Sequence, residues 1–163
     1  LLSWRVRILP YLGQQALYEK FKLDEPWDSE HNMKLIATIP QVYVDPNSKL
    51  EPGTTNFLAP VAEGTIWSVK GGARLRDIVD GSSQTIMVVR ADPNKAVPWT
   101  KPDDLTIKPE SPVDGLASEG MDNFLALLCD GSARAFSVKI DPQTLWHLLS
   151  HKDRHPIDWE KIR

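Results

Sequence analysis

The clearest hydrophobic pattern lies between Phe124 and Lys139. An apolar run, Phe124-Leu-Ala-Leu-Leu-Cys129, meets Asp130-Gly131, after which Ala133, Ala135 and Val138 alternate with Arg134, Ser137 and Lys139. Asp-Gly between two such runs predicts a β-hairpin. A tight type I′ turn needs positive φ at both central residues, which Asp tolerates and Gly adopts freely. The incoming run lacks alternation, so it predicts a strand covered on both faces in the middle of a sheet. Gln84-Thr-Ile-Met-Val-Val89 is apolar and β-branched and predicts a second strong strand. Weaker strand signals are Gln41-Val-Tyr-Val44, stopped by Asp45-Pro46, and residues 54–69, broken at Pro60 and Gly64.

Helical spacing is clearest towards the two ends of the chain. Ser3 is a natural N-cap for a segment holding Trp4, Val6, Ile8 and Leu9, with Pro10 as a kink. Leu12, Ala16, Leu17 and Phe21 then recur at helical spacing, with Gln14, Gln15, Glu19 and Lys20 between them. An acidic, aromatic loop, Leu23-Asp-Glu-Pro-Trp-Asp-Ser29, precedes a helix expected over about residues 30–38, with Asp28 or Ser29 as its cap. Residues 74–79 predict a short helical or extended piece before Asp80-Gly81. Residues 92–120, dominated by Pro, Asp, Lys and Ser, predict a long ordered loop anchored at Val97-Pro-Trp99. Asp141-Pro142 predicts a sharp helix start, and residues 151–163 form a charged tail relieved by Ile157, Trp159 and Ile162.

Composition narrows the class without naming a chemistry. At 163 residues, 41% hydrophobic and 25% charged, the chain fits one soluble domain spanning residues 1–163. A net charge of −3 gives no electrostatic footprint for nucleic acid. No apolar run approaches the ~20 residues that span a bilayer. A start at Leu1 instead of Met leads us to expect a longer parent protein. The single cysteine, Cys129, excludes an internal disulfide and sits where a buried, inert thiol is expected.

Several side-chain groupings invite a chemical reading. His147, His151 and His155 fall at i, i+4 and i+8, a spacing by which two imidazoles can ligate zinc or nickel. No Glu follows His147 in the metalloprotease manner and Pro156 closes the segment, so a solvated helix end is expected, with no metal and no cofactor. His31 beside Asp28 and Glu30 could serve as a base, but no Gly-x-Ser-x-Gly elbow accompanies it, so no catalytic residue is expected. Trp27, Trp67 and Trp99, three of six tryptophans, could form a glycan- or peptide-binding surface with Asp28 and His31, or could fill gaps beneath loops.

Taken in order, several phrases resemble one family. They are Ser3-Trp-Arg-Val-Arg-Ile-Leu-Pro-Tyr-Leu12 with Gln15-Ala-Leu-Tyr18, then Leu23-Asp-Glu-Pro-Trp-Asp-Ser29 with His31-Asn32. Farther on come Leu75-Arg-Asp-Ile-Val-Asp-Gly-Ser-Ser-Gln-Thr-Ile86, Ala96-Val-Pro-Trp-Thr-Lys-Pro-Asp-Asp-Leu105 and Leu127-Leu-Cys-Asp-Gly131. Together, across residues 1 to about 150, they resemble the domain-of-unknown-function 1559 family, abundant in planctomycete bacteria. The C-terminal part of that family carries the prepilin-type processing-associated H-x9-D-G domain. The resemblance implies a pseudopilin-like exported protein of the cell envelope. Its partners would be other proteins or further copies of itself, and it would reach the membrane only through an N-terminal helix absent from this chain. Asp130 and Gly131 match the D-G pair, but Gly120 stands where the family has His and Arg90 where relatives usually have Glu. The expected fold is α+β: N-terminal helices packed on a mostly antiparallel, pilin-like sheet with long loops. The expected function is non-enzymatic, a structural or interaction module.

Overall fold

The computed structural model describes residues 1–68, 71–160 and 162, and in it the N-terminal helical signals become single turns. Helix α1 (Trp4–Arg7) starts at Ser3, whose hydroxyl accepts from the Arg5 amide. A 3-10 turn, Leu9–Leu12, begins with Pro10 in its first positions and stops at Gly13, which takes φ +71. That left-handed residue cuts the helix expected from Leu12 to Phe21 down to α2 (Gln15–Tyr18). Helix α3 (Glu30–Met33) is capped by Ser29, not Asp28, and a 3-10 turn at Ile36–Thr38 replaces the rest of the expected 30–38 helix. Gln41–Tyr43, read from sequence as a strand, is also a 3-10 turn. Tyr43 is drawn inward there, and its hydroxyl donates to the Arg5 carbonyl at 2.8 Å.

The chain is an α+β protein in two compact units, the first made of Leu1–Asn56 with Ala96–Asp103. Its core is aromatic. Phe21 meets Trp99 edge-on at 5.6 Å, Tyr43 stacks on Trp99 at 5.9 Å, and Leu2, Val6 and Leu9 complete the cluster. Such ring pairs add about 0.5–1.5 kcal/mol each beyond the area they bury. The Trp99 indole N–H donates to the Ile36 carbonyl at 2.9 Å. Trp99 reaches this place because β1 (Thr54–Thr55) pairs antiparallel with a later strand, Val97–Pro98.

Asn32 is fully buried and organises the acidic loop of this unit. Its Oδ1 accepts from the Lys22 amide at 3.1 Å, and its Nδ2 donates to the carbonyls of Lys22 (3.0 Å), Glu25 (3.3 Å) and Pro26 (3.0 Å). One amide thereby satisfies main-chain groups that a loop without secondary structure would otherwise leave unpaired.

The second unit comprises Phe57–Lys95 and the chain from Asp104 onward. Strands β2 (Phe57–Leu58), β3 (Pro60–Val61), β4 (Trp67–Ser68), β5 (Gly71–Gly72) and β6 (Ile86–Arg90) precede the excursion through β7 (Val97–Pro98). Then β8 (Leu105–Thr106), β9 (Asn123–Leu128), β10 (Ala133–Ser137) and helix α4 (Pro142–Leu149) follow. One sheet is antiparallel in the order β10-β9-β6-β2. A second has the order β5-β4-β3-β8, with β3 parallel to both β4 and β8. The end of the 54–69 strand signal, at Val69, lies outside the described residues, as do Lys161 and Arg163 of the tail.

β9 does lie inside its sheet, but it is not covered on both faces. Phe124, Ala126 and Leu128 are buried while Asn123 and Leu125 are exposed. The hairpin turn also differs from the two-residue form. Gly131 N–H donates to the Leu128 carbonyl at 3.0 Å and only Gly131 is left-handed, at φ +87. This is the geometry of a type I turn followed by a glycine bulge. Asp130 escapes the left-handed region because its Oδ1 accepts from the Ser132 amide (2.9 Å) and hydroxyl (2.7 Å). These bonds hold its carboxyl below the usual carboxylate range.

Two substitutions test this framework. Asn32→Ala should lower stability by roughly 3 kcal/mol, since it strands buried carbonyls. A Cβ on Gly53, at φ +78, would stand 2.5 Å from Ile36 Cγ2 and 2.9 Å from the Ile36 carbonyl oxygen. Gly53→Ala should therefore cost about 2 kcal/mol. Urea denaturation followed by tryptophan fluorescence checks both, and an unchanged midpoint in either variant contradicts the packing described.

Candidate functional site

The C-terminal segment gathers the most chemistry. Asp141 caps α4, its carboxylate accepting from the Thr144 amide at 2.8 Å, and Pro142 takes the first helical turn as expected. The hydrogen bonds from the Thr144 amide and hydroxyl hold the Asp141 carboxyl low. The helix stops at Leu149, because Ser150 turns to extended backbone (φ −75°, ψ 153°). His151 and His155 are therefore off the helix, and the i, i+4, i+8 face does not exist.

What replaces it depends on Asp80. Its carboxylate accepts from the main-chain amides of Asp153 (2.8 Å) and Arg154 (2.7 Å). Arg154 sits at φ +61, the one non-glycine residue with positive φ among the described residues. This reversal carries the His155 ring back onto the His147 ring, with centroids 4.1 Å apart and planes 19° from parallel. His147 Nδ1 lies 2.7 Å from Asp153 Oδ2. His155 Nδ1 lies 3.1 Å from the Asp153 carbonyl oxygen and 3.6 Å from Oδ1. One ligand atom from each of the three side chains falls within 4.8 Å of the others. Burial works to raise the Asp153 carboxyl, but the bond to His147, the His155 amide and the nearby imidazoles outweigh it and hold the carboxyl low.

His151 goes elsewhere. It is buried, with Nδ1 2.6 Å from the Gly64 carbonyl oxygen. It lines an open cleft of about 470 Å³ together with Glu63, Ser68, Asp77 and Lys152. His147 and His151 therefore share no metal site, since the two rings serve different partners.

The other candidates are dispersed. Trp99 is 0% exposed and cannot present a face to a glycan or peptide, because it is needed at the centre of the first unit's core. Trp27 is half-buried, with the Lys101 ammonium 5.8 Å from its ring centroid. Trp67 belongs to the second unit, half-buried, with its indole N–H donating to the Met87 carbonyl at 2.7 Å. Asp28 is exposed in the turn before Ser29. His31 is exposed, its Nε2 2.8 Å from the Lys20 carbonyl oxygen, in a shallow hollow with Lys22, Glu25, Glu30 and Lys34.

Gly120 and the Asp130-Gly131 pair, set against the H-x9-D-G pattern above, have a local physical reading. Gly120 takes φ +83 in a turn closed by the Met121 amide on the Ser118 carbonyl, so a histidine there would be strained in this backbone. Asp130 and Gly131 are committed to the hairpin turn. Beside them, burial and the Asp130 charge push the Cys129 thiol up to about 11, which keeps it protonated and unreactive at neutral pH. Sequence reasoning missed Asp80, Asp153, Arg5 and Asn32. Asp80-Gly81 was legible as a turn, but nothing local shows which amides an aspartate in a turn will hold.

Asp80→Ala should free the 151–155 turn. Hydrogen exchange at Asp153 and Arg154 should speed up roughly tenfold or more, and global stability should fall by about 1–3 kcal/mol. Unchanged protection at both amides would show that Asp80 does not hold the turn.

Comparison with known families places the similarity at the other end of the chain. No curated protein and no solved structure matches this sequence. Residues 1–46 match the model of a family described as "Protein of unknown function (DUF1559)". The phrases at 75–86, 96–105 and 127–131 lie beyond that span. The match covers α1 to α3 and the 3-10 turns through Tyr43, so the chain is similar to that family over the segment that carries Asn32 and most of the first unit's core.

Proposed function

We propose that the chain is the globular portion of a non-enzymatic, pseudopilin-like protein of the cell envelope, acting through contacts with other proteins or with further copies of itself. Nucleic acid is not among its partners, and the membrane is met only through a hydrophobic N-terminal helix of the kind the family resemblance implies. The observation that carries the reading is the match of residues 1–46 to the DUF1559 family. That same stretch holds Leu1, Tyr11, Leu12, Leu23, Met33 and Val42, six of the ten exposed large hydrophobic residues among those described. Tyr11 and Leu12 stand side by side in the turn that Gly13 ends, and Tyr11 is 87% exposed. Neighbouring apolar side chains held out on a rigid turn are suited to anchoring a partner. A net charge of −3 with a pI near 5.8 supports leaving nucleic acid out. Among the described residues, no helix is long and apolar enough to cross a membrane.

The intact mass and membrane partitioning of the full-length native protein test this directly. A processed, methylated N-terminus in the envelope fraction is the expected result, and an unprocessed protein outside that fraction overturns it. Tyr11→Ser combined with Leu12→Ser should reduce cross-linking to envelope partners severalfold while leaving the melting temperature within a few degrees, as exposed positions do. Equal cross-linking would remove this turn from the interface.

A further inference from the structure

We propose that His147, Asp153 and His155 form a binding site for a divalent transition-metal ion of the zinc class, which clamps the C-terminal turn to the end of α4. Two imidazoles and one carboxylate are a donor set that suits Zn²⁺ and its neighbours, and α4 and the turn after it bring their ligand atoms within 4.8 Å of one another. Both Nδ1 atoms face Asp153, His147 at 2.7 Å from Oδ2 and His155 at 3.6 Å from Oδ1. A cation at their convergence takes the place of the proton now held between His147 and Asp153.

The spacing is close to what an ion needs. The three ligand atoms lie within 4.8 Å of one another. In a tetrahedral zinc site with bonds near 2.05 Å, ligand atoms stand roughly 3.4 Å apart. An imidazole lone pair lies in the plane of its ring, so binding requires the two rings, now stacked 19° from parallel, to rotate out of the stack and aim both nitrogens at the ion. His147 and Asp153 are half-buried and His155 is exposed, so the ion can enter and water can complete its shell.

A salt bridge alone does not require the backbone seen here. Arg154, between two of the ligands, is held at φ +61, and Asp80 grips the amides of Asp153 and Arg154 from outside the cluster. By holding these two amides, Asp80 fixes the backbone on which Asp153 and His155 stand. The proposal differs from the helical His147–His151–His155 arrangement, because His151 is spent on Gly64.

The test uses the metal-stripped chain without a polyhistidine tag. Titration with Co²⁺ should produce visible absorption of a low-coordinate site at one ion per chain, and Zn²⁺ should displace it. Zn²⁺ should raise the melting temperature where Mg²⁺ and Ca²⁺, which prefer oxygen donors, do not. His155→Ala, at an exposed position, should weaken binding by roughly tenfold or more, while His31→Ala should leave it unchanged. Long-range proton–nitrogen spectra of the unmutated chain give a check that no folding defect can confuse. The ring signals of His147 and His155 should shift with Zn²⁺, and those of His31 and His151 should not. Absence of a cobalt band, equal affinity in His155→Ala, or Zn²⁺ shifts confined to His31 or His151 each overturns the proposal.

Discussion

The first unit depends on the buried side-chain amide of Asn32. A stretch as polar as Lys22 to Pro26 forms no helix or strand, so its main-chain groups need partners from elsewhere. One side chain meets four of them, Oδ1 accepting an amide and the two Nδ2 protons shared among three carbonyls. The same residue sits in α3, whose cap Ser29 accepts from the Asn32 amide. Helix start and loop path are therefore fixed at one point. Around it, Arg5, Tyr43 and Trp99 join segments far apart in sequence through main-chain carbonyls and stacked rings. Polar satisfaction and aromatic packing do here what long helices do in other α+β proteins.

In the second unit the corresponding constraint is a carboxylate. Asp80 fixes a turn in which a left-handed arginine is tolerated, and that turn decides where Asp153 and His155 stand. The antiparallel sheet supplies rigidity on a larger scale: Phe124 and Phe136, cross-strand neighbours on β9 and β10, stack at 5.5 Å. The tail returns to this hairpin, with Trp159 beside Phe136 and beneath the Arg134 guanidinium at 4.2 Å. A segment that reads as a charged tail thus contributes an aromatic contact and a cation–π contact.

How much of this was legible depends on how local the cause is. The Asp141-Pro142 helix start and the 124–136 hairpin were readable because capping and turn chemistry act over a few residues. The turn type was not, since Asp130 prefers the bonds it makes with Ser132 to the left-handed conformation. The helix over residues 12–21 was overestimated because Gly13 ends the preceding turn left-handed. Nothing in the spacing of His147, His151 and His155 announces that two of them will stack, because that rests on an aspartate more than seventy positions away. Trp99 looked like a loop residue for the same reason: its indole partner, Ile36, is 63 positions earlier. The α+β class survives these errors, since it rests on many weak signals and not on any one of them.

The return of Ala96–Asp103 to the first unit sets the order in which the chain can fold as it is made. Residues 1–56 leave the ribosome carrying Leu2, Val6, Leu9, Phe21 and Tyr43, but the ring that fills the space between them has not yet been synthesised. At ~5–20 residues per second, that segment waits several seconds with its apolar side chains unsheltered. Meanwhile β2 to β6 emerge and can begin pairing among themselves. The family-like stretch is therefore made well before the ring that completes its core, and that core can close before the second unit's, whose strands β9 and β10 come later still. Until Trp99 arrives, the unsheltered apolar side chains of that stretch are a natural substrate for a chaperone.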